Sequence, residues 1–151
     1  MTHEPSGYAD AVSVPASVRG AGLIVALQGA AALVVAAVLV LRGLGGADQR
    51  VVNGFGTAVW FALIGGGVLA AGGALLVGRR WGRGPAVFAE LLLLPVAWYV
   101  AVGSHRPLAG IPVGIVSLAA LALLFSPPAL RWISGDQRGP ASSASSGPDT
   151  R

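Results

Sequence analysis

The chain has 151 residues, enough for one domain, and charged residues make up only 11% of it while apolar residues make up 54%. Soluble domains average about 25% charged residues, so this composition excludes the charged surface of a soluble globular protein. The net charge is +4 and all ten basic residues are arginines. They stand mostly at the ends of apolar runs, which is typical of membrane proteins and not of nucleic-acid-binding ones. The chain contains no cysteine, which excludes disulfides, thiol catalysis and cysteine-ligated metal sites.

The chain begins with a polar segment, residues 1–17, which carries Pro5, Gly7 and Pro15 and little apolar pattern. Such a composition cannot bury enough apolar surface to offset the entropy of ordering. The sequence therefore predicts a disordered tail over residues 1–17.

The first apolar run covers residues 21–41 without a charge and is bounded by Arg19 and Arg42. About 20 apolar residues are needed to cross a bilayer as a helix, so we expect a first transmembrane helix over residues 20–42. The alternative interpretation is a signal peptide, with residues 45–47 (Gly-Gly-Ala) as its cleavage site. The apolar part of a signal peptide has about 7–15 residues, and the greater length of this run favours the transmembrane helix.

The second apolar run, residues 51–78, also lacks charges and predicts a helix over residues 53–78. Small residues recur in it at every fourth position, a spacing that allows helices to approach closely in lipid. Because each four-residue step drifts by about 40° around a helix, only part of the series shares one face. We predict that this helix-packing face consists of Ala62, Gly66, Ala70 and Ala74, widened by Gly65, Gly67, Gly72 and Gly73. The sequence leaves open whether the partner is another span, a second copy of the chain or another membrane protein.

A basic turn separates the second and third apolar runs and contains Arg79, Arg80 and Arg83 but no acid. Arginine-rich loops remain in the cytoplasm and attract anionic lipid headgroups. We therefore expect these three arginines to set the orientation of the protein and to contact lipid headgroups.

The third apolar run predicts a helix over residues 85–104 and contains Glu90, the one ionisable side chain within a span. Such residues are costly in a membrane and are candidates for function. Gln28 in the first span has a matching depth, so we predict that Gln28 and Glu90 face the bundle interior at a similar level and form a polar site there. The sequence leaves open whether Glu90 extends toward water, pairs with Arg83 or is protonated. Pro95 cannot donate a backbone hydrogen bond, which predicts a kink or local fraying.

The fourth apolar run predicts a helix over residues 107–131, with Pro127 and Pro128 marking its end. The remaining residues, 134–151, are too polar to bury, and we expect a second disordered tail. The sequence thus predicts an all-α, polytopic membrane protein: a bundle of four transmembrane helices over residues 18–133.

With four spans, both tails and the basic turn lie on one side of the membrane. Near the membrane that side carries six arginines and the other side carries three. Because the arginine-rich side remains in the cytoplasm, we expect a multi-pass protein of the cell membrane whose N and C termini are cytoplasmic. The six are Arg19, Arg79, Arg80, Arg83, Arg131 and Arg138, against Arg42, Arg50 and Arg106.

The sequence contains no catalytic constellation: no pair of nearby carboxylates, no metalloprotease motif and no phosphate-binding loop. We therefore expect no enzyme, no metal, no cofactor and no nucleic-acid partner, but contacts with membrane lipids and with a second copy or another membrane protein. The favoured hypothesis is a non-enzymatic scaffold or accessory subunit. The alternative is a small proton-coupled transporter or exporter that uses Glu90.

The C-terminal part of the chain resembles a group of small actinobacterial four-span integral membrane proteins with no assigned activity. The resemblance lies in the basic turn of residues 79–85 (RRWGRGP), residues 91–95 (LLLLP), residues 110–114 (GIPVG), and Pro127 followed by Arg131 and Trp132. It implies a membrane protein but no functional residue. The size is also similar to that of small multidrug transporters, but the essential acid of that family lies in the first span, where this chain has only Gln28.

Overall fold

The computed structural model describes residues 14–45 and 51–134, with side chains from residue 54 onward in the second segment. Within these ranges there is no strand, and five α-helices follow one another: α1 (Ala16–Leu44), α2 (Val51–Leu76), α3 (Arg83–Trp98), α4 (Pro107–Leu124) and α5 (Pro127–Ser134). Four helical segments are long and apolar enough to cross a membrane. The predicted all-α fold with four candidate spans is confirmed. The predicted tails lie outside the described residues over 1–13 and 135–151.

The first helix begins earlier than the sequence indicated. Pro15 has extended backbone angles, φ −55° and ψ 144°, and directly precedes α1. Proline is compatible with the start of a helix because the first backbone N–H groups have no partner within the helix. Ala16 and Ser17, which we expected in a disordered tail, are therefore the first residues of α1.

A tight turn connects α2 to α3. Gly78 has φ +77°, a left-handed conformation that glycine adopts without strain. The backbone N–H of Arg79 then donates to the carbonyl of Ala74 at 2.7 Å and closes the end of α2. A single 3₁₀ turn, Arg80–Gly82, follows. Gly82 lies against α2 so closely that a Cβ atom built on it would be 2.6 Å from the carbonyl oxygen of Ala71.

The predicted third span is α-helical in its first part and π-helical in its last. Helix α3 continues through Pro95, and a π-helical turn over Tyr99–Gly103 follows it. There the N–H of Ser104 donates to the carbonyl of Tyr99 at 2.9 Å. The irregular hydrogen bonding thus occurs in the turn after the proline, toward the end of the span.

The predicted fourth span, residues 107–131, is divided into two helices. Helix α4 ends at Leu124, and the short α5 begins at Pro127. Pro127 and Pro128 have no N–H to donate to the carbonyls of Leu123 and Leu124, so the α-helical hydrogen bonding stops there. The Ser126 hydroxyl instead donates to the Leu123 carbonyl at 2.8 Å.

The helices form two hairpins that pack against each other. The contact between α1 and α2 is the most extensive in the described structure, followed by the contact between α3 and α4, and the hairpins meet through α1 with α4 and α2 with α3. We call the end of the bundle formed by the first turn of α1, residues 77–83 and α5 the basic end. A buried apolar cluster lies there and includes Val18, Leu75, Leu124 and Trp132.

The predicted packing face of α2 is not the face that contacts α1. Ala62 and Ala70 are exposed, and a Cβ atom on Gly66 would meet nothing within 4 Å, so of the four predicted residues only Ala74 is buried. The face that contacts α1 contains Ala58, Gly65, Gly72 and Leu75 instead.

The reason why α1 contacts this other face is geometric. The buried residues of α2 follow a seven-residue repeat, which drifts by only about 20° per two turns and stays beside a neighbouring helix. A series of four-residue steps winds away from the neighbour much faster. In α1 the matching buried residues are Val18, Gly22, Val25, Gly29 and Ala36.

Candidate intramembrane polar site

Gln28 of α1 and Glu90 of α3 meet inside the bundle. The side-chain amide of Gln28 donates from Nε2 to Oε2 of Glu90 at 3.3 Å. Glu90 is 0% exposed and Gln28 is half-buried. The structure therefore brings together the two polar residues that we expected to face the interior at a similar depth.

A third polar side chain, Ser117 of α4, completes the cluster. A contact at the basic end fixes its level, because Arg83 at the start of α3 reaches Leu124 at the end of α4. Glu90 lies seven residues after Arg83, and Ser117 lies seven residues before Leu124. In antiparallel helices with a rise of 1.5 Å per residue, both side chains are then about 10 Å below that contact. The Ser117 hydroxyl faces the Glu90 carboxyl, and Ser117 is 0% exposed.

Three oxygen atoms of this cluster have no hydrogen-bond partner among the described residues: Oε1 of Gln28, Oε1 of Glu90 and Oγ of Ser117. Buried polar atoms are nearly always hydrogen-bonded, and an unsatisfied one costs about 1–3 kcal/mol. Ser117 is a member of the site that the sequence did not indicate. Its level follows from the end of α4 at Leu124, whereas the sequence predicted a helix continuing to residue 131.

Arg83 does not pair with Glu90. Its guanidinium donates from Nη2 to the carbonyl oxygen of Leu124 at 3.0 Å and lies over the ring of Phe125, 5.1 Å from the ring centroid. The Leu124 carbonyl is the one that Pro128 leaves without a backbone donor. Arg83 therefore connects the start of α3 to the end of α4. A pair between Arg83 and Glu90, one of the alternatives that the sequence left open, is not formed. Arg83 makes a contact between helices, whereas we expected it to contact lipid headgroups.

The other two arginines of the basic turn differ from each other. Arg80 is half-buried, and its guanidinium lies 5.4 Å from the centroid of the Trp132 ring, a cation–π contact that connects the turn to α5. Arg79 is exposed. Of these three arginines, Arg79 is thus the one that is exposed enough to contact solvent or a lipid headgroup.

The residues of the polar site line neither of two shallow grooves in the described surface. These grooves have volumes of about 380 and 350 Å³. The first is lined by residues of the basic end such as Arg83 and Phe125, and the second lies between α2 and α3 beside Ala70, Trp81 and Phe88. Neither is lined by a residue of the polar site, which is therefore enclosed by helices. Among the described residues no group of His, Cys, Asp or Glu side chains has the arrangement of a metal site.

Comparison with known protein families, with curated protein sequences and with solved structures finds no match for this chain. The class of the protein therefore follows from its own architecture. Four helical segments have the length and apolar composition of membrane spans, and large side chains such as Leu63, Trp98 and Leu108 point outward from them. These features are those of an integral membrane protein.

Proposed function

We propose that this chain is a non-enzymatic scaffold or accessory subunit of the cell membrane, which joins a partner helix through the open face of α2. The observation that carries the proposal is the enclosure of Glu90. This carboxyl is 0% exposed and contacts Gln28 directly, and neither described groove reaches it. A buried polar contact of this kind fixes the register of neighbouring helices.

The open face of α2 supports the same proposal. Gly66, Gly67 and Gly73 have no neighbouring atom within 4 Å of a built Cβ, and Ala62 and Ala70 beside them are exposed. Small residues allow a second helix to approach closely in lipid, where van der Waals packing drives association. This side of α2 therefore has the surface that a partner helix needs, while α1 packs against the adjacent face through Gly65 and Gly72.

The orientation forms part of the proposal. We place the basic end in the cytoplasm, together with both termini, because arginines concentrate at that end. Arg19, Arg79 and Arg131 are exposed there, where lipid phosphates are within reach of their side chains.

The experiment is purification of the tagged full chain from its native membranes in mild detergent, with identification of co-purifying proteins by mass spectrometry. We expect a membrane protein or a second, differently tagged copy to accompany the wild type. Gly66→Leu should reduce its recovery by about tenfold, equivalent to about 1.4 kcal/mol, because the larger side chain blocks close approach. Gly66→Ala is the matched control and should retain the partner, as should Glu90→Gln. A wild type that elutes alone, or equal recovery with Gly66→Leu, would contradict the proposal.

A second candidate is a small proton-coupled transporter or exporter. One observation favours it: the cluster around Glu90 contains three unpartnered polar atoms within the spans, and intramembrane acids commonly serve proton relays. It predicts the opposite pattern in variants. Glu90→Gln would abolish proton movement into vesicles containing the purified protein and a pH-sensitive dye, whereas Gly66→Leu would leave it intact. Equal proton movement for wild type and Glu90→Gln would eliminate this candidate.

A further inference from the structure

The polar site has the composition of an ion site. Oε1 of Gln28, Oε1 of Glu90 and Oγ of Ser117 are buried and unpartnered, and they come from three different helices that meet at one level. The Gln28–Glu90 hydrogen bond of 3.3 Å holds two of these residues together. The Ser117 hydroxyl faces the same carboxyl.

The described side chains that face Glu90 carry no positive charge to balance a negative charge on its carboxylate. Helix α1 presents Gln28 and helix α4 presents Ser117, both neutral, and α2 contains no ionisable residue. The nearest described cation on α3, Arg83, is directed to the Leu124 carbonyl. An isolated carboxylate in a medium of low dielectric constant is very unfavourable, so the site requires one positive charge.

A proton on Glu90 supplies that charge and would donate to the Gln28 carbonyl oxygen or to the Ser117 hydroxyl. A small cation supplies the same charge, and all three oxygens are of the kind that would act as its ligands. Carboxylate, amide carbonyl and hydroxyl oxygens are hard ligands, which exclude soft metals, and a divalent ion would leave a net charge of +1 in the bundle.

The geometry points to a binding site for one monovalent alkali cation, held by Glu90, Gln28 and Ser117 in competition with a proton on Glu90. The ion would connect α1, α3 and α4 and so join the two hairpins. This inference is independent of the scaffold proposal, because an ion that stabilises the bundle needs neither transport nor a partner.

The test is thermal unfolding of the purified full chain in mild detergent, followed by tryptophan fluorescence. Sodium, potassium and choline chloride are compared at equal ionic strength. A ligand that binds only the folded state raises the Tm, so sodium or potassium at tenfold excess over its Kd should raise it by about 3–6 °C relative to choline. The rise should be larger at alkaline than at acidic pH, because protons compete for Glu90. The ion giving the larger shift identifies the preferred alkali metal.

Three variants separate this site from a general salt effect. Glu90→Gln keeps an acceptor for the Gln28 amide but removes the negative charge, and it should lose the alkali-dependent shift. Ser117→Ala should weaken the shift. Ser126→Ala alters a hydroxyl that bonds within its own chain segment, and it should retain the full shift. An equal Tm in choline and both alkali salts at alkaline pH, or an undiminished shift in Glu90→Gln, would overturn the inference.

Discussion

At the scale of single residues, the structure assigns different partners to side chains that look equivalent in the sequence. Glu90 and Gln28 were identifiable in advance because polar residues are rare in the spans and these two match in depth. The position of Arg83 was not identifiable, because it depends on α4 ending beside the start of α3. Two prolines cannot supply the α-helical donors to the Leu123 and Leu124 carbonyls. The backbone N–H and the hydroxyl of Ser126 donate to the Leu123 carbonyl instead, and Arg83 donates to the Leu124 carbonyl.

This arrangement predicts unequal effects of replacing the arginines of the basic turn. Arg83→Met should lower the free energy of unfolding by about 1.5–3 kcal/mol, because a hydrogen bond from a charged donor to a buried carbonyl is lost. Arg79 is exposed, and Arg79→Met should change stability by less than about 0.5 kcal/mol. Denaturant titration of both variants in detergent measures the difference. Similar losses for the two variants would show that net basic charge, and not the Leu124 contact, matters.

At the scale of helices, the sequence predicts their existence and approximate positions but not which faces meet. Apolar length is sufficient to identify spans, because lipid forces the backbone to satisfy its own hydrogen bonds. The choice of face is harder in a chain with 23 glycines, since several small-residue series compete on α2. A Cβ on Gly29 would overlap the Leu69 backbone, with its Cα at 2.7 Å, and one on Gly72 would lie 2.8 Å from the Gly22 carbonyl oxygen. These close approaches select the seven-residue series.

The contact between α1 and α2 predicts which glycines of α2 tolerate a side chain. Gly72→Leu should destabilise the protein by about 3 kcal/mol or more, because the side chain would meet the α1 backbone and force the hairpin apart. Gly73→Ala, one position along and open on its outer side, should stabilise the helix by about 0.5–1 kcal/mol. Thermal unfolding in detergent compares the two. Tolerance of Gly72→Leu would contradict the α1–α2 contact.

At the scale of the whole molecule, the basic end contains buried apolar packing as well as arginines. Arg80 lies over Trp132, and Trp132 is largely buried among apolar residues of α1, α2 and α4. Helix α5 thus covers this end of the bundle. The predicted number of long apolar helices, four, is therefore confirmed. The short helix α5 was not predicted, because the sequence indicated one continuous helix up to residue 131, whereas α4 ends before the two prolines.

The proposed orientation is testable because the chain lacks cysteine. Ser104→Cys and Ser134→Cys are matched single replacements of exposed serines at opposite ends of the bundle. In intact cells a membrane-impermeant maleimide should label Ser104→Cys, and it should label Ser134→Cys only after permeabilisation. The reverse pattern would place the basic end outside. The unmodified chain should remain unlabelled in both conditions and serves as the background control.

The two kinds of interhelical contact have different consequences for biogenesis. The glycine contacts join α1 to α2, neighbours in the chain, so this hairpin can close while the ribosome is still producing the rest. Gln28 gains its hydrogen-bond partner later, since Glu90 lies 62 residues further along the chain. Until then the Gln28 amide has no described partner in its own hairpin. The Gln28 side chain of α1 therefore gains this hydrogen bond only when the second hairpin has been made. The hydrogen bond between Gln28 and Glu90 favours docking of the two hairpins over their separation.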